Sequence, residues 1–142
     1  MRVVLLDPSL PLPVAAKPGD AGVDLRARQS VTIAPFGRAL VPTGIALAIP
    51  EGHAGFVLPR SGLARDHGIT CLNAPGLIDA GYRGEIACLL HNTDATSSFT
   101  VEKGDRIAQL VIQRIEAVTF VQVEELDETE RGTGGFGHSG RN

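Results

Sequence analysis

The chain has 142 residues, 43% of them hydrophobic and 20% charged, which fits one soluble domain with a core of its own. Its formal net charge of −3 speaks against broad, sequence-independent binding to a nucleic-acid polymer, while leaving room for a small anion held by a few local arginines. No stretch approaches the ~20 apolar residues of a membrane span, so neither a membrane nor a polynucleotide is expected as a partner.

In chain order, the first apolar run, Val3 to Leu6, reads as a strand and is too short for a signal peptide, so a cytoplasmic location is expected. Gly22 to Ala27, Arg38 to Val41, Ile45 to Ile49 and Gly55 to Leu58 follow as strands. Pro42-Thr43-Gly44 and Pro50-Glu51-Gly52 read as turns between them. Ser61 to Asp66 has room for a turn or two of helix. Ile69 to Leu72, Glu85 to Leu90, Phe99 to Val101, Arg106 to Arg114 and Val118 to Val123 complete the strands. Many short strands spaced by turn residues predict an all-β single domain, either a jelly-roll-like sandwich or a barrel. Cys71 and Cys88 lie in apolar surroundings without C-x-x-C spacing, which predicts buried, reduced thiols. The composition changes at Glu124. An acidic run leads into Arg131 to Gly140, where five of ten residues are glycine. Such a segment cannot bury enough surface to order itself, so residues 124–142 read as a flexible arm on a domain of residues 1–123.

Five segments carry candidate chemistry. The most informative is Gly76-Leu77-Ile78-Asp79-Ala80-Gly81-Tyr82-Arg83-Gly84-Glu85, where apolar residues lead to one acid in a glycine turn beside the only tyrosine. An apolar approach strips water from a carboxylate, which is costly unless the group is used; taken alone, a β-hairpin with a solvated turn aspartate reads as well. Asp20 to Ala27 places Asp24 inside a strand, either solvated or facing a metal. At Pro59-Arg60-Ser61-Gly62-Leu63-Ala64, proline ends a strand and Ser61 can cap a helical turn. An arginine, a hydroxyl and free N–H groups there suit a phosphate, and a capped helix with a surface arginine suits the same residues. In Gly104 to Ile112, Gln109 is an amide in an apolar strand, paired with a neighbouring strand or with a ligand. The tail offers one arginine and one aromatic among glycines. No G-x-x-x-x-G-K-[ST] loop occurs.

Together and in this order, D-A-G-x-D-L at Asp20, P-R-S-G-L-A at Pro59, G-x-I-D-A-G-Y-R-G-E at Gly76, G-D-R-I-A-Q at Gly104 and R-G-x-G-G-F-G at Arg131 resemble the five motifs of the trimeric dUTP pyrophosphatases, the dUTPases. The resemblance runs from Asp20 to Gly140. It implies a jelly-roll-like β-clip subunit, a homotrimer, and sites at subunit junctions that draw on three chains. The implied reaction is hydrolysis of dUTP to dUMP and pyrophosphate with Mg²⁺, limiting uracil in DNA and supplying dUMP for dTTP synthesis. By resemblance, Asp79 is the catalytic carboxylate that activates water against the α-phosphorus, and Tyr82 packs under the sugar and refuses a 2′-hydroxyl. Asn73 and the backbone of Gly76, Leu77 and Ile78 read uracil. Arg60, Ser61, Gly62 and Gln109 contact phosphate, and Asp24 holds a Mg²⁺-bound water. From the arm, Arg131 reaches the distal phosphates, Phe136 stacks on uracil, and Gly137 and Ser139 add hydrogen bonds. The chain departs from the family pattern at three positions. His138 stands where serine is common, Ala87 where a longer side chain is frequent, and Leu77 where threonine or valine is usual. No role is carried to His138 or Ala87. Three other readings compete. A dCTP deaminase shares the fold and much of the phosphate site, but it needs a different acid–base set, and Tyr82 and the aromatic arm point away from it. Leu77 to Gly81 also resembles the D-[ST]-G of homodimeric aspartic proteases. The third is a non-catalytic β-sandwich that binds nucleotides or a protein.

Overall fold

The computed structural model describes residues 1–133. Ten strands and one short helix follow in the order β1 (Arg2–Leu5), β2 (Val23–Arg26), β3 (Val31–Ile33), β4 (Arg38–Ala48), β5 (His53–Pro59), α1 (Ser61–His67), β6 (Ile69–Cys71), β7 (Gly76–Ile78), β8 (Glu85–Asn92), β9 (Phe99–Val101) and β10 (Arg106–Arg114). One antiparallel sheet has the order β1-β4-β8-β6 and a second β2-β10-β5-β7, with β3 and β9 forming a separate pair. The expectation of an all-β domain holds. Alternation drives it: every second residue of β8, from Ile86 to Asn92, is buried, so one face of the strand joins the core while the other stays wetter. Leu25, Val41, Ile86, Leu90, Val101 and Ile107, drawn from all three sheets, share one core cluster and are each at most 2% exposed. Cys71 and Cys88 are buried and unpaired by disulfide, as expected.

Four sequence readings change. The two strands expected at Arg38 to Val41 and Ile45 to Ile49 are one strand, β4. Pro42-Thr43-Gly44 forms a bulge within it, since Pro42 pairs with Ala87 and Ala46 with Glu85, four residues of β4 spanning two of β8. The bulge is closed by hydrogen bonds rather than turned away. The Thr43 hydroxyl donates to the Ile86 carbonyl at 2.7 Å, and the Gly44 N–H, at φ 73°, donates to Glu85 Oε1 at 2.8 Å. Second, β3 and β7 were not anticipated as strands; each is held by pairing with a strand distant in sequence, β9 and β5 respectively. Third, Gly76 to Glu85 is no hairpin: β7 pairs with β5, while β8 pairs with β4 and β6. The loop between them crosses from one sheet to the other. Fourth, no strand forms at Val118 to Val123. Its apolar side chains stand in water, Phe120 at 93% exposed, and no sheet of the described residues takes it in. The last strand ends at Arg114, and the Ile115 N–H donates to the Gly52 carbonyl at 2.9 Å.

Candidate active site

The predicted residues gather at two places. At the first, β2, β10 and β5 lie side by side, and register sets Asp24 opposite Gln109 and Gln109 opposite Leu58. Side chains directly opposite in antiparallel strands share a face, so Asp24 and Gln109 project together. Arg60 follows β5 directly, and its Nε donates to Asp24 Oδ1 at 3.1 Å; Arg106 Nη1 donates to Oδ2 at 3.2 Å. The Asp24 side chain is only 16% exposed, so its charge is balanced by two guanidiniums rather than by water alone. Arg60 Nη1 also donates to the Arg106 carbonyl at 3.1 Å, which ties the two arginines into one corner. Arg106 was missed in the sequence. Its signal was available as a cation within G-D-R-I-A-Q, three residues before Gln109 and therefore near the same strand end.

Two expectations at this corner are corrected. Ser61 is the first residue of α1, not its cap. Arg60 occupies the cap position with φ −85° and ψ 126°, and no side chain caps the helix. Gln109 is exposed rather than buried, so no neighbouring strand must satisfy its amide. Ser61 and Gly62 are exposed as well, and a Cβ added at Gly62 would meet nothing within 4 Å.

The second place is the loop after β7. Leu40, Leu77, Ile78, Asp79, Tyr82, Glu85, Ile86 and Ala87 line an open groove of about 370 Å³. Leu77 is 60% and Leu40 65% exposed, so apolar surface leads up to the Asp79 carboxylate. Asp79 is itself exposed, however, and the water-stripped carboxylate expected from the sequence is not found within one chain. Its acidity keeps company with a folded-back aromatic: the Tyr82 N–H donates to the Asp79 carbonyl at 3.0 Å, and the Tyr82 hydroxyl donates to the Glu85 carbonyl at 3.0 Å. Gly76 is buried, and a Cβ there would come within 3.3 Å of both Asn73 Nδ2 and Val57 Cβ. The bare backbone therefore lets the Asn73 amide lie against β7.

Glu85 and Arg28 were also missed. Glu85 Oε1 accepts from Gly44 N, its Oε2 accepts from Arg28 Nη1 at 3.0 Å, and its own carbonyl accepts from Tyr82. One residue thus joins the β4 bulge to the Asp79 loop. The terminal glutamate of G-Y-R-G-E was the available signal.

The two places lie far apart within one chain. Extending the β7 register by one residue sets Asp79 level with Ala54, hence with Gln113, whereas Asp24 is level with Gln109. Three strand spacings across and four residues along give a separation of roughly 20 Å. Arg131 lies exposed in a turn near the end of the described residues. Phe136, Gly137, His138 and Ser139 lie outside them.

A metal would find few direct ligands. Among the described residues no three of His, Cys, Asp and Glu cluster, and Asp24 already faces two arginines. That donor set does not fit an all-protein cage. It fits an outer contact through water to a cation carried on phosphates, the usual habit of Mg²⁺.

An all-β subunit with a guanidinium–carboxylate corner for an anion, and an acid beside an apolar groove, defines a nucleotide-handling β domain. The sequence model of the dUTPase family matches residues 9–140, and the chain belongs to that family. Among curated relatives, the deoxyuridine 5′-triphosphate nucleotidohydrolase of Thermobifida fusca is 58% identical over 135 residues, covering 95% of this chain and 75% of its own length. That of Corynebacterium glutamicum is 54% identical over 141 residues, covering 99% and 95%. The solved dUTPase of Staphylococcus bacteriophage 80alpha with dUpNHpp superposes at a TM-score of 0.89 with 32% identity, covering 99% of this chain and 98% of that one. A dUTPase mutant from phage phi11, 28% identical, covers 87% of this chain and 96% of its own at a TM-score of 0.79, and is described with a structural Mg(II) ion.

Proposed function

We propose that this protein is a dUTP diphosphatase whose sites form between copies of the chain. It hydrolyses dUTP to dUMP and pyrophosphate, which withholds uracil from DNA synthesis. The observation that carries the site is the Asp79 loop, an acid at the rim of an apolar groove with an aromatic ring beside it. Asp79 orients and deprotonates the water that attacks the α-phosphorus. The groove takes the uracil and deoxyribose, with Asn73 and the backbone of Gly76, Leu77 and Ile78 facing the base, and Tyr82 under the sugar. Arg60, Ser61, Gly62 and Gln109 hold phosphate oxygens.

A base within hydrogen-bond reach of its water cannot serve a phosphate chain held some 20 Å away. The Asp79 loop of one copy and the Arg60 corner of another must therefore meet, which supports the homotrimer of the family resemblance. Exposed Phe120 and Val121 are surfaces that assembly would cover. Residues 124–142 act as the arm, bringing Arg131 to the distal phosphates and Phe136, Gly137 and Ser139 over the nucleotide. Asp24 balances Arg60 and Arg106 in the free chain and meets a cation's water in the complex. Mg²⁺, when bound to the triphosphate, neutralises charge on its oxygens. An arginine added to the transferring group is worth about 10³–10⁵-fold, so the arm belongs to catalysis as much as to binding.

The test is product analysis with dUTP, dCTP, UTP and dTTP side by side. Pyrophosphate and dUMP from dUTP alone are the expected result. Ammonia from dCTP would show a deaminase instead.

A further inference from the structure

Among the described residues six other glycines take a left-handed φ and Gly84 does not, so its φ does not itself bar an L side chain. What forbids a side chain there is Tyr82. A Cβ at Gly84 would lie 2.6 Å from Tyr82 Cζ and 3.0 Å from Cε2, and closer still to the hydroxyl oxygen. No backbone atom is among those three nearest neighbours. The ring is therefore folded back onto the bare α-carbon of Gly84, and its hydroxyl is tied one residue further on to the Glu85 carbonyl. Glu85 in turn is anchored by Gly44 and Arg28, so the seat beneath the ring is fixed to the β4 bulge. Gly81, in the same loop, has open space at its Cβ position, which shows that the crowding at Gly84 is particular to it.

We infer that Gly84 determines sugar specificity: its missing side chain sets the height at which the Tyr82 ring lies beneath the deoxyribose. This rests on Tyr82 being the group that refuses a 2′-hydroxyl. A methyl at position 84 must displace the ring, because the ring is the part that can move. Displacement opens or tilts the surface that excludes the extra hydroxyl.

The experiment compares kcat/KM for UTP and dUTP in Gly84→Ala, Tyr82→Ala, Tyr82→Phe and the Gly84→Ala/Tyr82→Ala double variant, with thermal melts of each. Gly84→Ala should shift the UTP-to-dUTP ratio at least about tenfold toward that of Tyr82→Ala, within the ~10² that a pocket gains by refusing a hydroxyl. The double variant should show the Tyr82→Ala ratio with no further change, and should recover the Tm that Gly84→Ala alone loses. Tyr82→Phe should keep most of the discrimination, since the ring keeps its seat. Should Gly84→Ala lower Tm equally in both backgrounds, or leave the ratio untouched while Tyr82→Ala admits UTP, Gly84 has no part in selection. Should Tyr82→Ala itself still refuse UTP, the reading of Tyr82 fails, and the melt cycle alone reports whether the ring sits on Gly84.

Discussion

Asp79 stands at the mouth of its groove with apolar neighbours behind it and solvent in front. Replacing it by asparagine keeps the shape and removes the proton acceptor. Asp79→Asn should bind a non-hydrolysable dUTP analogue with near-normal affinity by calorimetry while turnover falls by about 10²–10⁴, the scale of general-base help. Unaltered turnover would take Asp79 out of the reaction. The two thiols show a different residue-level effect. Burial pushes the Cys71 pKa up to about 11 and that of Cys88 to about 12, the latter helped by its neighbour Cys71. In the unfolded chain both ionise near 8.5. Between that pH and 11 the native state binds more protons than the unfolded one, so stability falls as pH rises through that window. Denaturant midpoints from pH 8 to 10.5 should show the decline, and a Cys71→Ala/Cys88→Ala variant should flatten it.

The bulge in β4 was written in Pro42-Thr43-Gly44, and its turn chemistry was legible; what was not is that the same residues can be absorbed within one strand. That outcome depends on the bonds from Thr43 to Ile86 and from Gly44 to Glu85, each joining residues more than forty positions apart and invisible to local reading. Removing the Glu85 carboxylate leaves the Gly44 N–H and Arg28 without their acceptor. Glu85→Ala should cost about 1–3 kcal/mol in chemical denaturation, the range for a lost hydrogen bond to a charged group in a partly wet setting. Glu85→Gln, which keeps an acceptor for Gly44, should recover part of it. Glu85–Asn92 was readable because it alternates cleanly with one face buried, and Arg106–Arg114 because of its apolar run, although its burial does not strictly alternate. Val31–Ile33 and Gly76–Ile78 were not, since their pairing with Phe99–Val101 and His53–Pro59 is a tertiary fact. Val118 to Val123 failed in the opposite sense: its composition is that of a strand, but strand formation needs a partner as well as a propensity. The proposed site residues stood out as motifs because chemistry fixes residue type, whereas the contacts of Arg106, Arg28 and Glu85 follow from tertiary geometry even where their motifs were in view.

At the scale of the molecule, the register of β7, β5, β10 and β2 keeps Asp79 and the Arg60–Asp24 corner proposed for phosphate on opposite reaches of one sheet. Asp79→Asn and Arg60→Ala should therefore each lose most activity alone, yet together rise well above either when unfolded and refolded as a mixture, because some sites then combine two intact contributions. Strict absence of complementation would place the whole site within single chains. Deleting residues 131–142 should leave the oligomer and its melting curve intact while kcat falls by about 10³-fold or more, the loss expected for an arginine acting on the transferring group. A truncated enzyme with full kcat would make the arm a passenger. The same sheet geometry sets when chemistry can begin. Under the proposed assembly, a chain fresh from synthesis, or shed by dilution, would own both halves of the machinery yet bring neither to the other, so hydrolysis would switch on with the meeting of subunits rather than with folding.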